Sequence, residues 1–445
     1  MPAAHGSRLI RNVLCQHLPT IERAEGVFVW DDEGNRYLDG SSGAVVTGLG
    51  HADPVVLAAM AEQAGKVTFT HRGAFTSRPA ELLADRLAEL TGMAGVWLVG
   101  SGSEAVEASL QFALQYWREI GEPGRSRFLS HRHGYHGGTL GALSLSGHAR
   151  RDNAEALVHD FLGLLAPWPY RYGAGRGDAE FTADLLAAAE RAIVAAGDTL
   201  AGVVVEAVGG ATGSVVVPPA GYLPGLERLC RDAGVLLIVD EVLTGLGRTG
   251  TALAVDHWGV RPDIVALGKG LGAGYTPIAA SLLNERVLDA IAAGSGTIRH
   301  GHTYAGNPLS AAVALAVLRR TDELGLYAAA RRAGERVRAG LADLAARHRL
   351  IGEVRGIGLL WALELVTDLE ARRTDTPPGV LSSRMVAAAT AHGLLVYPST
   401  GGINDAVTLA PPLTISDDEI DLALGALDSA LTDVEAALAV QPAAV

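Results

Sequence analysis

The sequence predicts an α/β protein, with a large domain on a mostly parallel sheet and a smaller α+β domain assembled from both chain ends. Three observations carry this. Between residues 78 and 283, short apolar runs such as Val235–Asp240 alternate with helical stretches. Those runs are apolar on both faces, the pattern of parallel strands covered by helices on either side. After residue 309 the pattern changes to a long Ala-rich helical stretch, followed by strands and a last helix. The expected division is residues 1–70 as an N-terminal segment joining the small domain, 71–325 as the large domain and 326–445 as the small one.

The chain begins irregularly and then gives a hairpin, Val27–Trp30 with Arg36–Asp39, around Asp31-Asp32-Glu33-Gly34. A helix is expected over Pro54–Gln63, since proline suits a first helical turn and Gly65 suits an end. Further helices are expected over Pro79–Leu90, Glu104–Arg118, Ala183–Ala196 and Tyr222–Ala233. Between them lie strands over Gly95–Val99, Arg127–Ser130, Gly202–Glu206, Val235–Asp240, Ile264–Leu267 and Ile278–Leu283. The C-terminal region offers strands near Gly358–Leu365 and Val407–Leu409, then a helix over Asp417–Leu438.

Composition narrows the class. The 445 residues are 49% hydrophobic and 19% charged, which excludes wholesale disorder. A net charge of −13 with no basic run does not suit a nucleic-acid or anionic-membrane binder. The two cysteines, Cys15 and Cys230, are too few for a disulfide framework and lack zinc-site spacing. The first residues, MPAAHGSRLIRNVL, contain no apolar core of a signal peptide, and no apolar run reaches membrane-spanning length. The expectation is a cytoplasmic protein.

Of the 36 basic residues, only Lys66 and Lys269 are lysine. A coding bias toward Arg and Ala accounts for the scarcity. Even so, lysine can lose its proton and attack a carbonyl, which arginine cannot.

Four stretches carry chemistry. Gly100-Ser101-Gly102-Ser103-Glu104-Ala105 joins a strand to a helix. Small residues and free N–H groups at a helix start suit an anion, and Ser103 adds a hydroxyl. The stretch also fits the dinucleotide fingerprint, but the next strand ends in His131-Arg132-His133 where that fold needs an acid. A Gly-rich turn without ligand is the plain alternative.

The second stretch is His131-Arg132-His133-Gly134-Tyr135-His136-Gly137-Gly138. Three close histidines suggest metal, yet no carboxylate or cysteine accompanies them. Tyr135 presented over a flat ligand fits as well, as does a packed tyrosine among surface histidines.

In the third stretch Asp240 follows five apolar residues, at the strand edge where α/β sheets bind ligands. It could serve a metal, an ion pair or a protonated ring nitrogen. Glu241 beside it would point to the opposite face of a continuing strand.

In the fourth, Lys269 stands among small residues in Gly268-Lys269-Gly270-Leu271-Gly272-Ala273-Gly274. A P-loop fails there, because residue 263 is Asp and residue 270 is Gly. An enclosed lysine of lowered pKa can form a Schiff base, whereas a solvated loop lysine is the bland alternative. Lys66, after Gly65, is explained by a helix end.

In this order and spacing, the stretches resemble class III pyridoxal-phosphate-dependent aminotransferases of fold type I. The likeness covers nearly the whole chain. It includes Asp240-Glu241-Val242, Gly247-Arg248-Thr249-Gly250, Gly268-Lys269-Gly270 and His302-Thr303-Tyr304-Ala305-Gly306-Asn307-Pro308. The resemblance implies pyridoxal 5'-phosphate as cofactor, held covalently by Lys269, which also shuttles the substrate proton. It implies that Asp240 keeps the pyridine nitrogen protonated, and that Tyr135 and Val242 flank the ring. Ser101, Gly102 and Ser103 belong to the phosphate-binding turn. His136 belongs to the ring-binding turn, and Glu206 supports the surroundings. Thr303 would reach the phosphate of a neighbouring subunit, so a homodimer is implied. No metal is implied.

Two departures bear on substrate. Ornithine- and GABA-type members carry a gating Glu where this chain has Ala211. Many members carry an Arg before a Pro-Pro, but Val396–Pro412 contains no Arg or Lys. An α-carboxylate or 2-oxoglutarate would lose a bidentate partner. The expected kin are therefore the ω-aminotransferase and diaminopelargonate-aminotransferase branch, acting on an amine remote from a carboxylate or on a ketone, aldehyde or oxo-acid acceptor. Arg72, Arg78 and Arg299 are candidate substitute clamps. Within the fold, an aminomutase or amino-acid racemase is the runner-up, since these use the same Lys and Asp. A dinucleotide oxidoreductase and a non-catalytic scaffold are the readings outside it.

Overall fold

The structure, a computed structural model, describes residues 8–14 and 16–440; Cys15 and the two chain ends, where the signal-peptide reading falls, lie outside the described residues. Its central sheet has seven strands in the spatial order Gly95–Val99, Ala279–Leu283, Ile264–Leu267, Leu236–Asp240, Leu200–Glu206, Arg127–His131 and Leu162–Leu164. Neighbours are parallel except around Ala279–Leu283, which runs antiparallel to both of its partners.

Every residue of Leu200–Glu206 and Leu236–Asp240 is buried. Alternation explains how. Val203, Val205, Leu237 and Val239 enter one core, whereas Val204, Leu236 and Ile238 enter another. Successive side chains point to opposite faces, so each strand feeds two helical layers. The helix Gly102–Glu119 covers the second face with Ala105, Ala108 and Phe112.

Register fixes the working edge. Glu206 pairs with Asp240, and Asp240 with Ala266. The two carboxylates therefore stand side by side where adjacent parallel strands end, the edge at which such sheets bind ligands.

The C-terminal sheet is antiparallel, in the order Ile351–Ile357, Leu360–Leu365, Ala406–Leu409 and Tyr397–Pro398. It shares one core with the helices Leu326–Arg347 and Asp417–Val440, through Val337, Leu341, Leu363, Ile420 and Leu427. Val27, Leu38 and Leu49 enter the same core. The backbone seals that junction, since Leu38 N donates to Gly393 O and Leu395 N donates to Leu38 O, at 2.8 and 2.9 Å.

Most predicted elements stand within three residues of their expected ends, and the helix at Ala183–Ala196 starts earlier, at Asp178. The strands Ile21–Glu25, Leu162–Leu164, Ile351–Ile357 and Tyr397–Pro398 were not anticipated. Each is short or interrupted by Gly, Pro or charge, so its extended form comes from a paired neighbour. The Ala-rich stretch divides into Pro308–Glu323 and Leu326–Arg347, because Gly325 takes a left-handed φ of +60°.

Candidate active site

The working edge borders a cavity of about 210 Å³. It is lined by Ser101, Gly102, Ser103, Tyr135, His136, Gly137, Glu206, Val208, Ala211, Asp240, Val242, Leu243, Thr244 and Lys269. The structure thus brings together nine of the ten residues singled out in the sequence. Thr303 is the exception: it is exposed and outside this cavity.

The helix Gly102–Glu119 supplies one wall. Its Ser101 cap accepts from Glu104 N at 3.2 Å through Oγ, and Ser101 O accepts from Ala105 N at 2.9 Å. The N–H groups of Gly102 and Ser103 in the first turn remain for an anion. Ser103 Oγ accepts from Gly138 N at 3.0 Å, which ties the turn 134–138 to the helix start. Both glycines at this junction are forced by space. A Cβ on Gly102 would stand 2.7 Å from Val242 Cγ1, and one on Gly137 would stand 2.5 Å from Ser103 Oγ. Gly137 also holds a φ of +134°.

Asp240 is buried and has a partner on each oxygen. Oδ1 accepts from Val242 N at 3.0 Å, and Oδ2 lies 2.9 Å from His136 Nδ1. Burial alone would lower the His136 pKa, but the Asp240 hydrogen bond and charge, with Glu206 nearby, raise it above its ordinary value. Among the described residues, His136 Nε2 is buried without a hydrogen-bond partner.

Glu206 accepts from Tyr135 N at 3.0 Å and from Gly210 N at 2.7 Å. Burial, helped by the charge of Asp240, still pushes its carboxyl up to about 7. Lys269 follows strand Ile264–Leu267 and holds a left-handed φ of +39°, a conformation that L-residues rarely adopt. Desolvation lowers its amine pKa, although Asp240 and Glu206 oppose the shift.

The second stretch sends its histidines to separate partners. His131 Nε2 meets Tyr222 Oη at 2.8 Å, His133 stacks on Tyr172, and His136 goes to Asp240. The strand ends at Asp240, so Glu241 turns into the interior, bonded to Thr244 Oγ1 and Val255 N. Burial pushes its carboxyl up to about 7. Arg248 is buried, donating to Leu359 O, Pro411 O and Ser42 Oγ at 2.9, 2.7 and 3.3 Å. Lys66 forms an exposed ion pair with Glu62.

None of Arg72, Arg78 and Arg299 lines the cavity. Arg72 lies over the Trp97 ring, and Arg78 starts the helix Arg78–Thr91. Sequence reasoning missed one contact and one residue beside the site. The pairing of His136 with Asp240 bridges 104 residues, so spacing could not show it. Arg150 donates from Nη1 to Tyr135 Oη at 2.8 Å, and nothing in its local sequence marks it.

A sequence profile described as Aminotransferase class-III matches residues 12–431. The chain belongs to the class III aminotransferases. It is 42% identical over 437 residues to the aminotransferase YodT of Bacillus subtilis (strain 168), covering 96% of this chain and 98% of that one. It is 34% identical over 424 residues to the adenosylmethionine-8-amino-7-oxononanoate aminotransferase of Geobacter sulfurreducens, covering 93% and 92% of the two chains. A PLP-bound amine transaminase from an uncultivated Pseudomonas species superimposes with a TM-score of 0.90 and 38% identity, covering 98% of each chain. The fold is that of fold type I transaminases, and the class uses pyridoxal 5'-phosphate. The activity is transfer of an amino group between an amine or amino-acid donor and an oxo acceptor.

The cavity fits that cofactor. A desolvated lysine, a buried carboxylate, an aromatic ring and a glycine-lined helix start line one space. Together they suit an aldehyde, a ring nitrogen, a planar ring and a phosphate.

Proposed function

We infer that this class III aminotransferase works on an amine remote from a carboxylate, or passes the amino group to a ketone, aldehyde or oxo-acid acceptor, as a cytoplasmic homodimer. One observation supports the substrate reading above the others: among the described residues no arginine lines the cavity, and Ala211 occupies the wall where a gating Glu would stand. An α-carboxylate therefore lacks a bidentate partner beside the reacting groups.

When bound, the cofactor supplies an electron sink for the carbon that carries the amine. The rest falls to residues of this chain. Lys269 would hold the cofactor through its aldehyde, and its amine, once released, would carry a proton from and to the substrate carbon. Desolvation lowers the pKa of that amine, which favours its acceptor form. Asp240 would keep a proton on the ring nitrogen, and His136 holds Asp240 Oδ2. Tyr135 and Val242, which line the same cavity, would flank the ring. The N–H groups of Gly102 and Ser103 bind the phosphate, and the Ser101 cap holds that turn. Glu206 braces the Tyr135 backbone.

Thr303 serves the cavity of a second copy. Its exposure supports this, as do the exposed rings of Phe69, Phe75 and Tyr304. That no helix among the described residues is long and apolar enough to cross a membrane is compatible with the proposed location.

Borohydride reduction of the holoenzyme followed by peptide mass mapping tests the covalent role. The cofactor mass belongs on Lys269 and is absent from Lys269→Arg. A donor and acceptor screen tests the substrate class. Strict turnover of 2-oxoglutarate with no other acceptor contradicts it.

A further inference from the structure

One cation beside the cavity has no role in the steps above. Arg150 is exposed, its Nη1 is 2.8 Å from Tyr135 Oη, and its guanidinium carbon is 5.6 Å from the ring centroid. That bond uses one of five N–H groups. Among the described residues, no carboxylate pairs with it. The next residue is different: Arg151 pairs with Asp160 at 3.8 Å and donates to the carbonyls of Leu143, Ser144 and His159.

The base of Arg150 is anchored to the cavity wall. Arg150 N donates to His148 Nδ1 at 3.1 Å, and His148 Nε2 lies 3.0 Å from Thr400 Oγ1. The Thr400 hydroxyl donates to Ala211 O at 3.2 Å, so its proton is spent. His148 Nε2 is then the donor and Nδ1 the acceptor, which is the neutral tautomer. The His148 ring centroid stands 5.0 Å from that of Tyr135. A fixed cation is thus left beside a neutral imidazole, with its remaining donors free.

Position decides what those donors can bind. Asp240, His136 and Glu206 line the buried inner part of the cavity, whereas Arg150 stands at the exposed end of the Tyr135 side chain. A molecule that touches both must carry its carboxylate well away from its amine. We propose that Arg150 is the specificity-determining residue for this remote carboxylate, binding it through the guanidinium edge not used by Tyr135. The assignment rests on the preceding reading that no arginine serves a carboxylate inside the cavity.

Hexanoate has the carboxylate and chain but no amine, so its binding to the holoenzyme can be read by calorimetry. Arg150→Ala weakens that binding at least about tenfold. In turnover, the kcat/KM ratio of ε-aminocaproate to hexylamine falls about 10- to 100-fold in Arg150→Ala. Arg150→Lys recovers part of it, since the charge returns without the fork. Far-ultraviolet dichroism checks that the exposed replacements keep the fold. Hexanoate binding unchanged in Arg150→Ala overturns the assignment. So does an equal fall for both amines, which assigns Arg150 to packing against Tyr135. Failure of the underlying reading has its own sign: the wild type turns over 2-oxoglutarate strictly, with no other acceptor.

Discussion

His136 Nδ1 lies 2.9 Å from Asp240 Oδ2, and both side chains are buried. The pair has a pH signature. The folded His136 pKa is above its ordinary 6.5. Its contribution to stability is therefore complete below pH 6.5 and is lost as pH rises through the folded value. The melting temperature of the apoenzyme should exceed that of His136→Gln most below pH 6.5, with the gap narrowing at higher pH. A constant gap refutes the coupling.

Glu206 gives a second signature. Its folded carboxyl titrates near 7, above its ordinary 4.5, so the folded state keeps a proton that the unfolded chain releases. This makes stability fall as pH rises between 4.5 and about 7. The slope is at most ~1.4 kcal/mol per pH unit. Glu206→Gln should flatten the stability profile over that range, measured by denaturant unfolding. Glu241, also near 7, leaves a residual slope.

Gly102→Ala tests the cofactor cradle. The new methyl would stand 2.7 Å from Val242 Cγ1, so the helix start or the Val242 side chain must shift. Overpacking costs about 1–3 kcal/mol. Cofactor affinity should fall roughly tenfold or more, read by titrating apoenzyme with pyridoxal 5'-phosphate. Full affinity in the variant would show that this contact does not shape the phosphate turn.

Arg248 ties three distant segments through Ser42 Oγ, Leu359 O and Pro411 O. Arg248→Ala leaves these buried acceptors unpaired and opens a void. The expected loss is about 3 kcal/mol in denaturant unfolding. An effect near zero places those contacts outside the forces that join the chain ends to the central sheet.

The legible part of this fold was its periodic part. Val235–Asp240 showed its strand because both faces are apolar, and the lysine setting of 268–270 is local in the chain. Long-range pairing was hidden. Ile351–Ile357 carries glycines, Glu353 and Arg355, and becomes a strand because Leu360–Leu365 pairs with it. Arg355 and Arg171 meet Glu364 only after folding, and Arg355 then holds the 213–214 carbonyls behind the cavity wall. For the same reason spacing marked Lys269 and Asp240 but neither the His136 contact nor Arg150.

The antiparallel strand Ala279–Leu283 has a mechanical consequence. Ile264–Leu267 leaves the sheet, Lys269 follows, and the chain returns directly beside it. The loop is clamped at both ends by adjacent strands, about 4.8 Å apart. The lysine backbone therefore stands on a loop, residues 268–278, whose two ends are held by neighbouring strands. In the proposed mechanism, travel of its nitrogen between cofactor and substrate would fall to the four-carbon arm. In an exposed side chain, rotation of such an arm takes picoseconds to nanoseconds, far faster than loop opening. In the proposed mechanism, the clamped ends would let the amine act without the loop leaving the sheet edge.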